Sequence, residues 1–417
     1  MTNVDSRVRL RFRMYTRPSL LLLAGLALVL IAGEADAGKE PLWSSSTEDI
    51  VVSVDISADG GYIVAGSDDD KVYLFDKDSS TPLWSYTTGG DVCSVAISAD
   101  GEYIVAGSKD YNFYLFNKNS SEPIWSSETE GEVCSVAISA DGEYIVAGSD
   151  DDKIYCYDRE GNGWWSDRGL GDAVVDISAD GEYIAAGYES WDSDDDRVQL
   201  FNKDSYTGEP VQTWNTGVDD LWGVTSIAIS ADGQYIVTGS FHSLKTHLFN
   251  KDIGTPLWNH TAEEYGYVQS VDISGDGAFV VSGSWDSNVY LFSKDSGTPL
   301  WNYGTYSWVY SVSISADGNY IAAASYNDKG YLFQRSSNKP LWGEEEWSQP
   351  LGNPVGCAAV SADGEYTVVG GGNEVHLLDK EAMSGGGNSA GGTGNGSNLM
   401  LLALIAAIAF FVLRKRN

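Results

Sequence analysis

The chain of 417 residues carries 60 acidic against 25 basic side chains, a formal net charge of −35, with 42% hydrophobic residues, 47 Gly, 14 Trp, 24 Tyr and only 10 Pro. So acidic a surface repels phosphate backbones and anionic lipid head groups, which argues against a nucleic-acid partner and for cations, basic partners or a saline medium. The Gly-, Trp- and Tyr-rich mix fits many short strands joined by tight turns, with enough apolar residues for a large core.

The N-terminus is basic, with Arg7, Arg9, Arg11, Arg13 and Arg17, then apolar from Leu20 to Ala32, then Ala35-Asp36-Ala37. Charge, a short apolar core and a small-x-small site read as a secretory signal over residues 1–37, cut after Ala37. Thirteen apolar residues are short for a membrane span. Without this segment and the last four residues, 17 basic and 57 acidic side chains remain, so the exported body is more acidic than the whole chain.

Residues 38–380 repeat. The tetrapeptide S-A-D-G, or a near copy, places Asp at Asp59, Asp100, Asp141, Asp180, Asp232, Asp276, Asp317 and Asp363, in steps of 41, 41, 39, 52, 44, 41 and 46 residues. That period suits a four-stranded blade. In the second unit Val92–Ser98 alternates as a strand does, A-D-G makes a turn, Tyr103–Ser108 reads as a strand buried on both faces, Phe113–Lys118 is a third strand, and Pro123–Glu128 a fourth. Eight such units predict an all-β fold, an eight-bladed β-propeller of four-stranded blades. Fourth strands carry Trp84, Trp125, Trp164, Trp214, Trp258, Trp301 and Trp342, one after each of the first seven units. The eighth unit has none. The segment around Trp43, ahead of the first unit, is expected to supply the missing strand and close the ring, since an open ring would leave an unpaired edge.

The C-terminus continues as a Gly/Ser/Asn-rich linker (381–397), an apolar run (398–413) and a basic end (414–417) with Arg414, Lys415 and Arg416. The linker composition cannot pack a core. The apolar run is read as a helix, like the apolar run near the N-terminus; it is short for a span, and its basic flank marks the cytoplasmic side. The expectation is an exported body at the cell surface or in the periplasm, held to the membrane by the C-terminal helix.

Three resemblances follow from the sequence. The unit S-V-A-I-S-A-D-G-E-Y-I-V-A-G-S resembles the inner half of a WD repeat. The stretch L-F-D-K-D-S-S-T-P-L-W (Leu74–Trp84) resembles the tryptophan-docking motif of quinoprotein-type propellers, with eight residues from Asp76 to Trp84; the third and fourth units depart from that spacing. The tail resembles the tripartite sorting signals of prokaryotic surface proteins: a Gly-rich motif, an apolar span and a basic end. Quinoprotein enzymes typically show a vicinal Cys pair and a calcium-binding acid cluster. This chain has four Cys, none adjacent. Cys93 and Cys134 hold equivalent first-strand positions and are expected in the core, and Cys134 and Cys156 lie two strands apart, too far for a disulfide. No Ser-His-Asp order, H-E-x-x-H or phosphate loop occurs, and His242, His247, His260 and His376 fall singly.

The reading is therefore a non-enzymatic binding or assembly scaffold, with a quinoprotein-like oxidoreductase or other propeller enzyme as the alternative. No cofactor is expected beyond calcium: Asp192, Asp194 and Asp196 have the D-x-D-x-D opening of a calcium loop, although Arg197 stands where that loop needs Gly. The loops between second and third strands share a face with the inter-blade loops, and there the units differ. Exposed aromatics gather on that face: Trp191, Trp222, Phe241, Tyr265, Tyr267, Trp285, Trp308, Tyr326 and Trp347. With the acids beside them they are expected to bind a protein, a cationic segment or a surface glycan.

Overall fold

The repeated tetrapeptide builds one small structure eight times. The Ser hydroxyl donates to the Asp carboxylate at 2.6–2.8 Å. The same hydroxyl accepts the backbone N–H of the residue that opens the second strand, as from Tyr103 to Ser98 at 3.0 Å. The Asp accepts the N–H two residues on, as from Glu102 to Asp100 at 3.0 Å. The turn ends on a glycine with positive φ, 71° at Gly101, a conformation that costs a residue with a Cβ about 1–2 kcal/mol.

Flanking strands follow the hydrophobic pattern. In the second unit they span Val92–Ile97, Tyr103–Ser108, Asn112–Asn117 and Trp125–Glu128. The first ends a residue earlier than its alternation predicts because Ser98 belongs to the turn, and the fourth begins at Trp125 rather than at the proline, which has no N–H for a ladder. The computed structural model describes residues 41–168, 171–189, 197–203, 210–214, 223–263, 266–342 and 355–380. They form eight antiparallel four-stranded sheets, seven of them in chain order from the innermost strand outward, and among the described residues there is no helix. This is the expected eight-bladed β-propeller. The signal, the linker and both apolar runs read as helical lie outside the described residues. Among the described residues no helix is long and apolar enough to cross a membrane.

Seven blades are consecutive. The eighth joins Val355–Val360, Tyr366–Gly371 and Glu374–Asp379 to Trp43–Ser46, with Trp43 opposite Leu377 and Ser46 opposite Glu374. The N-terminal strand closes the ring.

The core lies between blades rather than within them: Val64 and Leu74 of blade 1, for example, pack against Val95, Ile97, Ile104 and Phe116 of blade 2. Three contacts repeat around the ring. Outer-strand tryptophans donate Nε1 to a backbone carbonyl of the next blade, from Trp43 to Lys77, Trp84 to Lys118, Trp125 to Arg159, Trp214 to Ile253, Trp258 to Lys294 and Trp301 to Arg335, at 2.6–2.9 Å. The aromatic ring that opens each second strand lies against the turn glycine of the next blade; a Cβ on Gly101 would sit 2.5 Å from the Tyr62 ring. That aromatic also lies under a Lys or Arg of the next blade at all eight interfaces, from 4.3 Å for Arg335 over Phe279 to 6.0 Å for Lys77 over Tyr366.

The third and fourth blades carry the irregular spacings. In blade 3 a register shift at Cys156/Tyr157 puts Trp165, not Trp164, opposite Cys156, where the other blades hold their docking tryptophan opposite Leu74 or Leu115. In blade 4 Gln212 stands opposite Leu200, and Trp214 lies two residues further on, opposite Val198. Its indole correspondingly docks on Ile253, two residues beyond the usual Lys acceptor.

Trp43→Ala removes a docking indole and one ring-closing contact, and is expected to cost about 3 kcal/mol. Urea unfolding of the two proteins measures it, and an unshifted midpoint contradicts closure by this strand. Gly101→Ala, strained in φ and driven into Tyr62, is expected to lose at least about 2 kcal/mol in the same assay.

Candidate functional site

Blades radiate from a central channel, and their innermost strands do not share a backbone ladder. Side chains bridge them instead. Ser53, Ser94, Ser135, Ser226, Ser270 and Ser311 each accept an N–H from the neighbouring innermost strand at 2.9–3.2 Å. Two residues further along, three blades carry an aspartate. Asp55 accepts Ile56 and Ile97 N–H, Asp176 accepts Ile177 and Ile229, and Asp272 accepts Ile273 and Ile314. These half-buried carboxylates line the channel. Desolvation outweighs their amide donors and pushes Asp55 and Asp272 up to about 6 and Asp176 up to about 7. On the S-A-D-G face a chain of backbone bonds runs Ala362 to Ala58, Ala99, Ala140, Ala179, Ala231, Gly275 and Ala316, each N–H donating to the next carbonyl.

The opposite mouth varies. In six blades the residue just past the second strand sits in the same place, its N–H donating to the inter-blade loop: Asp68 to Ile50, Lys109 to Asp91, Asp150 to Glu132, Phe241 to Gly223, Trp285 to Tyr267 and Tyr326 to Trp308. Blades 1–3 thus present charge at this position and blades 5–7 present aromatics.

The aromatics touch in one run. Phe241 stacks on Tyr267 with centroids 3.9 Å apart, and Tyr267 meets Trp285 edge-on at 5.3 Å. Trp285 stacks on Trp308 at 4.7 Å, and Trp308 meets Tyr326 at 5.4 Å. Trp308 and Tyr326 remain 42% and 44% exposed. The structure thus brings together Phe241, Tyr267, Trp285, Trp308 and Tyr326. It adds Tyr310, near both Trp285 and Tyr326. Sequence reasoning passed over Tyr310 because it lies within a strand, one residue into Val309–Ile314. Trp191, Trp222, Tyr265 and Trp347 lie outside the described residues, as do Asp192, Asp194 and Asp196. Among the described residues no group of three or more His, Cys, Asp or Glu could hold a metal ion.

The charged side is its counterpart. Desolvation and then the charges of Asp172 and Glu132 raise Asp150 to about 6. Desolvation, then Asp91, raises Asp68; desolvation and the charges of Asp152 and Glu132 raise Asp172. Lys109 pairs with Asp91 at 2.8 Å. Not every acid here is available. Asp69, Asp110, Asp151 and Asp286 each accept a tyrosine hydroxyl at 2.6 Å and an inter-blade N–H. The middle aspartate of the D-D-D-K loops is therefore a structural clamp.

A closed ring of eight blades, docked by tryptophans and varied at one mouth, defines a repeat propeller of the quinoprotein-like and WD type. A family model described as outer membrane protein assembly factor BamB matches residues 29–168 and 95–303, and the chain belongs to that family of propellers. A WD domain, G-beta repeat model matches residues 297–333. Among solved structures, the crystal structure of the computationally designed Ika8 protein is similar with a TM-score of 0.67 at 16% identity, covering 82% of this chain and 99% of that one. That likeness concerns the fold. No curated protein matches.

Because the folded channel aspartates hold their protons more tightly than the unfolded chain, they favour folding at low pH, and their contribution is lost as pH rises from 3.8 through about 6–7. Combining Asp55→Asn, Asp176→Asn and Asp272→Asn is expected to flatten that part of the stability–pH curve. Denaturant midpoints across this window check it, and parallel curves contradict it.

Proposed function

We propose that the protein is a non-catalytic binding scaffold whose varied channel mouth takes a cationic protein segment with an aromatic or apolar anchor. The body is exported by its N-terminal signal and tethered to the membrane by its C-terminal segment. The single observation that carries the binding reading is the division of the mouth, with carboxylates on blades 1–4 facing an aromatic run on blades 5–7. Carboxylates attract Lys and Arg and speed their approach, while aromatic faces take the anchor and add cation–π contact. The family model, described by an outer-membrane assembly factor, fits an extracytoplasmic partner-binding role. A glycan would use the aromatic half alone and bind independently of salt.

The test is calorimetric titration with short peptides pairing one Phe with two Arg, against acidic and neutral counterparts and an oligosaccharide panel. Selective, salt-sensitive binding of the basic peptides is expected. Trp308→Ala and the pair Asp68→Asn/Asp150→Asn should each weaken it about tenfold, or about 1.4 kcal/mol. Affinity should also fall as pH drops through about 6, where Asp150 takes up its proton. Binding unchanged by these variants sinks the proposal. Dye-linked oxidation with added quinone cofactor and calcium tests the oxidoreductase alternative, and turnover there would replace the scaffold reading.

A further inference from the structure

Cys93 and Cys134 stand 41 residues apart at equivalent positions of adjacent blades. Their alternation predicts core positions, and the structure corrects this. Cys93 is half-buried and Cys134 exposed, whereas Cys156 and Cys357 are buried. A register shift between Val92 and Ser94 makes Cys93 the extra residue of a β-bulge, a device that re-aims a side chain. Next to it, Ser94 Oγ accepts the Val136 N–H at 3.2 Å, so the two cysteine-bearing segments run side by side along the channel wall. Cys134 lies close enough to Cys93 for the neighbouring thiol to raise its own pKa.

We propose that Cys93 and Cys134 are a redox pair, closed by a low-molecular-weight disulfide into a bridge that ties blade 2 to blade 3 beneath the acidic side of the mouth. The surroundings give the pair a direction. The Cys134 thiol is held well above the ordinary range by the neighbouring Cys93 thiol, by desolvation and by the carboxylates of Asp150 and Glu132. Cys93 is therefore the attacking sulfur. Its thiolate displaces one small thiolate from the disulfide and forms a mixed disulfide. The Cys134 sulfur then attacks the Cys93 sulfur, expels the second small thiolate, and the bridge is complete. The two cysteine protons end on the two released thiols, and the two electrons lost by the cysteines reduce the small disulfide. The bridge adds a covalent tie where the innermost strands have only side-chain hydrogen bonds.

The test treats the folded full chain with oxidised glutathione, followed by digestion without reductant and mass spectrometry. The expected product is a cross-linked peptide pair containing Cys93 and Cys134, lighter by two hydrogens, reversed by dithiothreitol and accompanied by a higher unfolding midpoint. Cys134→Ser, which keeps Cys93, should take up glutathione several-fold faster than Cys93→Ser. Separate, stable glutathione adducts on both cysteines, or no reaction at either while the circular dichroism spectrum stays native, overturn the pair. Equal rates in the two single variants overturn the assigned direction.

Discussion

Everything in this ring depends on how one blade grips the next without a shared backbone ladder. Each four-stranded sheet satisfies its own internal hydrogen bonds, but its faces and its innermost edge must be covered by a neighbour. The aromatic residue that opens each second strand does much of this, wedged between the next blade's turn glycine and its Lys or Arg. A glycine is required twice over at that turn, by its positive φ and by the ring lying where a Cβ would point. The docking tryptophans repeat the grip at the outer rim, and Ser and Asp side chains repeat it at the channel. Since each contact joins blade to blade around a circle, the ring is only as complete as its last junction, which is the task of the strand around Trp43.

Against that uniform frame, function is written in departures. One structural position, just past the second strand, carries Asp68, Lys109 and Asp150 on one side of the mouth and Phe241, Trp285 and Tyr326 on the other. The blade chemistry is the same beneath them, and their backbone N–H groups make the same bond in each case. Side-chain identity at this place can therefore change without disturbing the scaffold, so the mouth can be polarised at little structural cost. The acids of the same loops divide into two kinds. Asp69 and Asp151 clamp tyrosine hydroxyls, while Asp68 and Asp150 crowd other carboxylates.

Much of the fold was legible in the linear pattern because every blade restates the same local rules. The S-A-D-G turn, the apolar second strand and the outer Trp recur at nearly constant spacing, and the unit short of a strand pointed to the segment around Trp43. Legibility failed where the period slipped. Trp165 rather than Trp164 occupies the docking register of blade 3, because a bulge in the ladder absorbs a residue that spacing alone cannot count. The aromatic loop residues were visible as unit-to-unit differences, but Tyr310 was hidden inside a strand that reads as ordinary.

The sequence by itself determined the number of blades, their strand order and the closing strand, since these follow from periodicity and turn chemistry, which are local. Only the tertiary structure decided what meets across blades: the stacking of Phe241 to Tyr326 into one run, the acids gathered opposite it, and the turning of Cys93 and Cys134 from expected core to channel wall. Those meetings join residues some forty positions apart, and their geometry depends on the angle between neighbouring sheets and on bulges that redirect single side chains. Neither leaves a mark in composition or period.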